Sequence, residues 1–160
     1  MSVAVVAAEN GTLTNAGGNT DLLSIAPADD KPVALCRFIL SQSSELGDAA
    51  EESLRITVKR LNTFSVGSGG AAVDSIEVPD SAQGTTIGAT VRGNDTTPAT
   101  GASTDILMDV NWNIRGPLEI VWPDERFRPT VRGAEGLVIV CESTATDDLT
   151  FSITAEFLEG

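Results

Sequence analysis

The chain has 160 residues, of which 23 are acidic, 10 are basic and none is histidine, and its formal net charge at pH 7 is −13. A chain of this length forms one domain that buries roughly 68–70% of its unfolded surface without help from a metal or a disulfide. The negative charge argues against nucleic acid or an anionic membrane as a partner, and the apolar runs are far shorter than the ~20 residues that cross a bilayer, so we expect a protein made and kept in the cytosol.

The first segment, SVAVVAAE, is apolar and β-branched, and a stretch rich in Gly, Asn and Thr follows it. Two interpretations stay open. The segment is an arm that adds a strand to another protein's sheet, with Val3, Val5 and Val6 as its contacts, or it is the first strand of the protein's own sheet. We therefore divide the chain into residues 1–19, a strand or arm with its loop, and a domain of residues 20–160.

Three strand-like segments follow, LLSIAP, VALCRFILS and SLRITVKRLNTF, and they are separated by Pro27, Pro32 and acidic turns. VALCRFILS is apolar on both faces apart from Arg37, which is typical of a central strand covered on each side. In the third segment, apolar and polar residues alternate until the phase slips at Arg60 and Leu61. A slip of one residue moves every later side chain to the other face, so we predict a β-bulge there.

The middle of the chain is rich in glycine and in small polar residues. The segments SVGSGGAAVDS and GNDTTPATGAS have the composition of loops, and only a brief strand in IEVP and a weak one around residues 87–91 lie between them. Loops of this kind are usually more mobile than the strands that they connect. We expect these two loops to be the most mobile parts of the domain.

The clearest periodicity is in DILMDVNWNIR, Asp105–Arg115. Every second position carries an apolar side chain: Ile106, Met108, Val110, Trp112 and Ile114. Alternation of this kind places the apolar groups on one face of a strand, whereas a helix would spread them around its whole surface. The closing run LTFSITAEFL repeats the pattern. Both segments therefore predict strands with one buried face, which a second sheet must cover.

Two further runs, LEIVWP and GLVIVCES, complete a series of about eight short strands, and Pro and Gly flank nearly all of them. No segment combines helical periodicity with helix caps. Short antiparallel strands with turns about every ten residues predict a single-domain β-sandwich, and the strand number fits the jelly-roll type best. The fold class that we predict is therefore an all-β jelly-roll sandwich.

Residues that commonly carry catalysis are missing from this sequence. It has no histidine for base catalysis or zinc binding, no CxxC pair, no GxSxG nucleophile elbow and no phosphate-binding loop. We therefore expect no enzymatic activity, no cofactor and no metal. The acidic pairs at residues 29–30, 51–52 and 147–148 are interpreted as solvated turns, with a calcium site or a glycosidase pair as the alternative. Cys36 and Cys141 lie in predicted strands and are expected to be free, buried thiols.

The segment WPDERFRPTVRG gathers three arginines, Arg126, Arg128 and Arg132, in one loop of an otherwise acidic protein. Arginine is well suited to bidentate pairing with carboxylates, both within a chain and across interfaces. Pairing with the three acidic residues of the same loop is one interpretation. A contact between subunits is the other.

Three features resemble a known group of proteins: the strand with Trp112, LEIVWP at Leu118–Pro123 and GLVIV at Gly136–Val140. Their order is similar to that of the small jelly-roll proteins that decorate or cement the heads of tailed bacteriophages, usually as trimers. The resemblance covers most of the chain but includes no catalytic motif. The loop with the three arginines is longer than the pattern of the group requires.

The resemblance implies a homotrimer that binds the major capsid protein on the outside of the head, in the virion. A strongly acidic subunit fits that position because the packaged genome is a dense polyanion and repels it from the inner wall. Leu107 and Val121 are candidates for the subunit interface, beside the three arginines, because they are more apolar than a solvated strand face needs. A fibre or tail-tip module and a carbohydrate-binding jelly roll are the alternatives.

Overall fold

The structure, a computed structural model, describes residues 2–45, 47, 51–83 and 86–160. Within these residues it has twelve β-strands and two short 3-10 helices. The strands are β1 (Val3–Leu13), β2 (Thr20–Ala26), β3 (Val33–Gln42), β4 (Ser53–Asn62), β5 (Ala71–Ala72), β6 (Ser75–Glu77), β7 (Thr90–Asp95), β8 (Ser103–Asn113), β9 (Leu118–Val121), β10 (Thr130–Val131), β11 (Gly136–Cys141) and β12 (Leu149–Glu159). No helix in the described part of the chain is long and apolar enough to span a membrane.

The strands form two antiparallel sheets of six strands each, which pack face to face around one core. Sheet 1 has the order β10-β3-β12-β1-β6, and β9 pairs with β3 beside β10. Sheet 2 has the order β5-β7-β2-β11-β4-β8. The predicted all-β sandwich is therefore confirmed.

Four nested antiparallel pairs define the topology of the sandwich. Strand β1 pairs with β12, β2 with β11, β3 with β9 and β4 with β8. This nesting of early strands with late ones is the arrangement of a jelly roll, in which one long hairpin is wrapped into two sheets. The expected number of about eight strands is too low, because β5, β6, β7 and β10, which are two to six residues long, extend the sheet edges.

Alternating apolar residues build the core, as the closing run predicts. The inward side chains of β12 are at most 1% exposed: Leu149, Phe151, Ile153, Ala155 and Phe157. From the facing sheet, Trp112 is 1% exposed, and its indole N–H donates a hydrogen bond to the carbonyl of Gly116 at 2.7 Å. A buried indole needs such a partner, because an unpaired donor in the core costs free energy.

The first strand belongs to the sandwich and is not a detached arm. Strand β1 pairs with β12 along its whole length, from Val3 opposite Glu159 to Leu13 opposite Leu149, and with β6 on its other side. Val5 is 1% exposed in the core. The arm interpretation of the N-terminus is therefore wrong for this structure, and the described part of residues 1–19 is continuous with the domain assigned to 20–160.

The predicted β-bulge in β4 is also wrong, because the extra residue lies in the neighbouring strand. Val58 pairs with Met108 and Lys59 pairs with Ile106, which leaves Leu107 of β8 without an opposite residue. Because of the bulge, Ile106 does not lie on the same face as Met108, Val110 and Trp112, although the alternation in the sequence predicts that it does. Its side chain is 55% exposed.

Leu61 appears out of phase because it packs on the outer face of sheet 2. The pairing of β4 with β11 is regular from Leu61 to Ile56, so there is no slip. Leu61 forms a small second cluster with Val138 and Val140, against which Phe64 packs. The loops after β4 and β7 cover this cluster, so an apolar side chain is stable on that face.

These two loops are the ones expected to be mobile, and the structure pairs them with each other. The backbone groups of Ser65 and Thr100 exchange hydrogen bonds of 2.8 and 3.0 Å, and those of Ser68 and Thr97 exchange two of 2.9 Å. The paired loops form a cover over the outer face of sheet 2. The composition of each loop alone did not indicate this pairing.

Candidate interaction surfaces

The loop between β9 and β10 carries Arg126 and Arg128, while Arg132 follows β10, and an internal network holds the loop. Asp124 caps the helix Glu125–Phe127 by accepting the backbone N–H of Arg126 at 3.0 Å. The guanidinium of Arg126 donates two further hydrogen bonds to the Asp124 carboxylate, at 2.7 and 3.1 Å. These bonds hold the pKa of Asp124 below its usual range. The base of the loop is fixed where Trp122 packs on Phe38, with ring centroids 6.2 Å apart.

The other two arginines, Arg128 in this loop and Arg132 just after β10, behave differently. Arg128 donates to the carbonyls of Trp122 and Pro123, and it lies 3.7 Å from a carboxylate oxygen of Glu125. The carboxylate of Glu135 accepts the backbone N–H of Arg132 at 2.9 Å, and the Arg132 side chain is exposed. Intramolecular pairing therefore accounts for Arg126 and Arg128, and the contact between subunits remains a prediction, with Arg132 as its open candidate.

Phe127 lies on this ordered loop and is 73% exposed. The most exposed large apolar side chain in the described residues is thus an aromatic one, on a loop held by at least five hydrogen bonds. Rigid, exposed aromatic residues are typical anchors of protein interfaces. The sequence does not single out Phe127, because one apolar residue among charged ones has no periodic signal.

The edge of sheet 2 at β8 offers a second candidate surface. Strand β8 is eleven residues long and, among the described strands, pairs only with β4, whereas the strands at the other sheet edges have two to four residues. Leu107 is 37% exposed at the bulge, beside Ile106. Long free edges invite pairing with other chains, and bulges reduce this tendency. Val121, the other predicted interface residue, is 52% exposed on β9 of the opposite sheet.

A polar cavity of about 220 Å³ lies on the outer face of sheet 2. Its floor includes the apolar cluster of Leu61, and Lys59 and Asp21 also line it. Lys59 forms an ion pair with Glu142. The Glu142 carboxylate also accepts hydrogen bonds from the Thr57 hydroxyl at 2.8 Å and from the side-chain amide of Asn19. Burial alone would raise the pKa of Glu142, but the bonds from Lys59 and Thr57 outweigh it, and the pKa lies below its ordinary value.

Asp21 in this cavity is a buried acid with an unusual titration. The residue is 1% exposed, and burial raises its pKa to about 6 even though its carboxylate accepts the Ala99 N–H at 2.6 Å. The charge of nearby Asp95 adds to the increase. Ala99 belongs to the loop cover, so Asp21 fastens that cover to the sheet.

An apolar cavity of about 350 Å³ lies farther along the same face. Phe64 and the 54% exposed Val66 form its apolar walls, and Ser24, Ala26, Thr90 and Arg92 complete the lining. The guanidinium of Arg92 is held by Asp95 through hydrogen bonds of 2.7 and 3.1 Å. The cavity is suited to an apolar side chain, because its rim offers few free polar groups.

Two of the three acidic pairs found in the sequence accept backbone N–H groups. Asp29 and Asp30 are exposed at a turn, Glu52 accepts the Thr146 N–H at 2.5 Å, and Asp148 accepts the Asn15 N–H at 2.8 Å. Within the described ranges, no group of three or more acidic or cysteine residues is placed to hold a metal ion.

Both cysteines are free thiols, as expected, but only Cys141 is fully buried. Cys141 is buried in β11, and burial raises its pKa to about 11. Cys36 is half-buried in β3, and burial raises its pKa as well. A thiolate is the reactive form of cysteine, so raised pKa values make both groups weak nucleophiles.

Comparisons with protein-family models, with curated proteins and with solved structures find no match to this chain.

Proposed function

We propose that this chain is a virion structural protein that decorates the outer surface of a tailed-phage head and stabilises it. The observation that carries the proposal is the ordered loop with Phe127 at its tip, on a jelly-roll body whose net charge is −13. A rigid body with exposed anchors suits a subunit that docks on a preformed lattice. Its charge suits the outside of a shell that is filled with polyanionic genome.

The described N-terminal segment supplies no arm for this attachment. Val3, Val5 and Val6 lie on a strand that pairs with β12 along its whole length and with β6 at Val6–Ala8, so these residues are already part of sheet 1. Attachment therefore uses folded surfaces. The candidates are the segment with Arg126, Arg128 and Arg132, Leu107 at the edge of sheet 2, and Val121 on β9. All of these are exposed or half-buried in the single chain.

The experiment is co-sedimentation of the purified protein with empty, expanded heads built from the major capsid protein of the same genome. We expect saturable binding to the heads. We also expect an antibody against the chain to label intact heads that carry it. No binding at saturating protein concentration would overturn the proposal. Binding to isolated tails or fibres in its place would support the alternative of a fibre or tail-tip module.

The carbohydrate-binding alternative would use the polar cavity at Asp21. Sugar rings commonly stack on aromatic side chains, and the residues that line this cavity in the described part of the chain include neither Trp nor Phe. A glycan array with the purified protein tests it, and a hit that Lys59→Ala abolishes would favour this function over decoration.

A further inference from the structure

We infer that the polar cavity beside Asp21 binds a primary alkylammonium group, with the Asp21 carboxylate as the partner of the charge and the cluster of Leu61, Val138 and Val140 as the contact of the alkyl chain. Small amines and the side chain of lysine both carry a group of this kind. The inference is independent of the proposed attachment to a phage head, because none of the residues named for that attachment lines the cavity.

Asp21 is a buried acid that lacks a cation of its own. Within the described part of the chain, its carboxylate accepts one backbone N–H, and no ion pair includes it. Lys59, which lines the same cavity, pairs with Glu142, and Arg92 pairs with Asp95. A buried charge is costly unless an opposite charge compensates it. An incoming cation is therefore the complement that the fold leaves open at Asp21.

The charges around Asp21 make its ionised form unfavourable. Asp95 lies directly opposite Asp21 in the pairing of β2 with β7. Burial raises the pKa of Asp21 to about 6, and the repulsion from Asp95 exceeds the attraction of Lys59, while Glu142 adds a smaller repulsion. A cation in contact with the carboxylate would reverse this balance, because an opposite charge stabilises the ionised form.

The floor of the cavity suits an alkyl chain. Val140 lies opposite Asp21 in the pairing of β11 with β2, and Val138 lies opposite Lys59 in the pairing of β11 with β4. Residues directly opposite each other in an antiparallel pair share one face of the sheet, so the two valines lie between the acid and the lysine. Leu61 adds further apolar surface. Methylene groups placed on these side chains leave water, which is favourable.

The size and position of the cavity fit one small molecule or one side chain. Its volume of about 220 Å³ is below the roughly 300–1,000 Å³ of sites that take drug-sized ligands. Thr100 and Thr104 line it and are exposed, so the cavity opens to solvent beside them. A free amine or a lysine side chain of another protein can enter by this side.

Other classes of ligand fit these residues less well. An anion would meet the Asp21 carboxylate. A metal ion needs several oxygen ligands, and within the described ranges no group of three or more acidic or cysteine residues is placed to hold one. An alkylammonium ion has three N–H donors, which the carboxylate and the threonine hydroxyls that line the cavity can accept.

The test is an NMR titration of the isotope-labelled whole chain with n-butylammonium chloride at pH 7.5. The Ala99 N–H reports on the site, because the Asp21 carboxylate accepts it at 2.6 Å. We expect a saturable shift of this resonance, and binding at least about tenfold weaker in Asp21→Asn, which loses the charge-assisted bond. Asp29→Asn, on an exposed turn, is the control and should bind as the unchanged chain does.

The pH dependence gives a second measurement, which needs no variant. Butylammonium binds the ionised carboxylate and competes with its proton. Binding should therefore weaken as the pH falls through about 6, whereas binding to exposed acids would persist to about pH 4. The carboxyl carbon of Asp21 should also titrate at a lower pH when butylammonium is saturating.

Further probes separate the parts of the ligand and its source. Ammonium chloride lacks the alkyl chain and n-butanol lacks the charge, so both should bind more weakly than butylammonium. Binding of the blocked lysine derivative N-acetyl-lysine methylamide would identify a protein lysine as the natural occupant. Binding of butylammonium without it would identify a small amine, and both results support the inference.

Three results would overturn the inference: no shift of Ala99 with butylammonium, equal binding by Asp21→Asn, or equal binding of ammonium chloride. Binding that keeps its strength well below pH 6 would also contradict the role of Asp21. Phage heads play no part in these measurements, so failure here is distinct from failure of the proposed function.

Discussion

The carboxylate of Asp21 accepts the backbone N–H of Ala99 at 2.6 Å, and this bond joins strand β2 to the loop that covers the outer face of sheet 2. The acid is almost fully buried, and burial raises its pKa from 3.8 to about 6. The bond is therefore made by a group that folding keeps protonated at mildly acidic pH. Stability and pH are coupled at this point of the fold.

Replacement of Asp21 by Asn should remove part of the pH dependence of stability. The folded pKa lies above the unfolded one, so the contribution of this group is complete below pH 3.8 and is lost as the pH rises through about 6. Asn is neutral at all pH values and can still accept the Ala99 N–H. We expect Asp21→Asn to raise the free energy of unfolding at pH 7.5 by on the order of 2 kcal/mol, and by much less at pH 4.

Urea unfolding at both pH values measures this difference. Asp29→Asn, on an exposed turn, is the matched control and should change neither value. Glu9, whose pKa burial also raises, remains in both proteins and cancels in the comparison. Equal effects of Asp21→Asn at pH 4 and pH 7.5 would show that the buried charge is not the cause.

Shortening Val5 should destabilise the fold, because β1 lies inside sheet 1. Val5 is 1% exposed, whereas Val6 is half-buried on the outer face of the same strand. We expect Val5→Ala to cost roughly 2 kcal/mol and Val6→Ala less than half of that. Deletion of residues 2–9 should prevent folding. Circular dichroism and urea unfolding check both expectations, and a truncated chain with an unchanged melting temperature would restore the arm interpretation.

Glu159 should fasten the segment before β7 to the end of β12. Its carboxylate is 2% exposed, accepts the N–H groups of Gly88 and Ala89 at 2.7 and 3.0 Å, and lies 3.3 Å from the ammonium of Lys31. Glu159→Gln keeps the shape but weakens these charge-assisted bonds, and we expect it to cost about 1.5–3 kcal/mol. Limited proteolysis should then cut near Gly88 first. Glu77→Gln on exposed β6 is the control, and equal losses in the two variants would contradict this role.

The two cysteines should differ in their reaction with a thiol reagent. Cys141 is buried and its pKa is raised to about 11, so it should stay unlabelled by iodoacetamide at pH 8 until the protein unfolds. Cys36 is half-buried and should react slowly in the native state. Mass spectrometry should find at most one label per native chain and two in denaturant. Fast native labelling of Cys141 would mean that β11 opens readily.

The alternation of residues was enough to predict the fold class. In β12 every inward position of the closing run is apolar and buried, because a strand that packs one face on a core has a period of two residues. The same argument identified Trp112 and Ile114 as core residues, and both are at most 2% exposed. The alternation along a single strand can be read from consecutive residues, so the sequence alone predicts it.

Only the tertiary structure decided what covers each strand and which edges are paired. Leu61 has the phase of a solvated residue and is nevertheless buried, because Phe64 of the next loop and Ala99 of a loop distant in sequence pack against its cluster. Ile106 has the phase of a core residue and is exposed, because Leu107 is inserted opposite β4. The pairing of β1 within sheet 1 and the exposure of Phe127 were also decided by contacts between distant parts of the chain. Burial is set by long-range packing. A periodic pattern predicts only which side chains share a face of a strand, and it does not predict what covers that face.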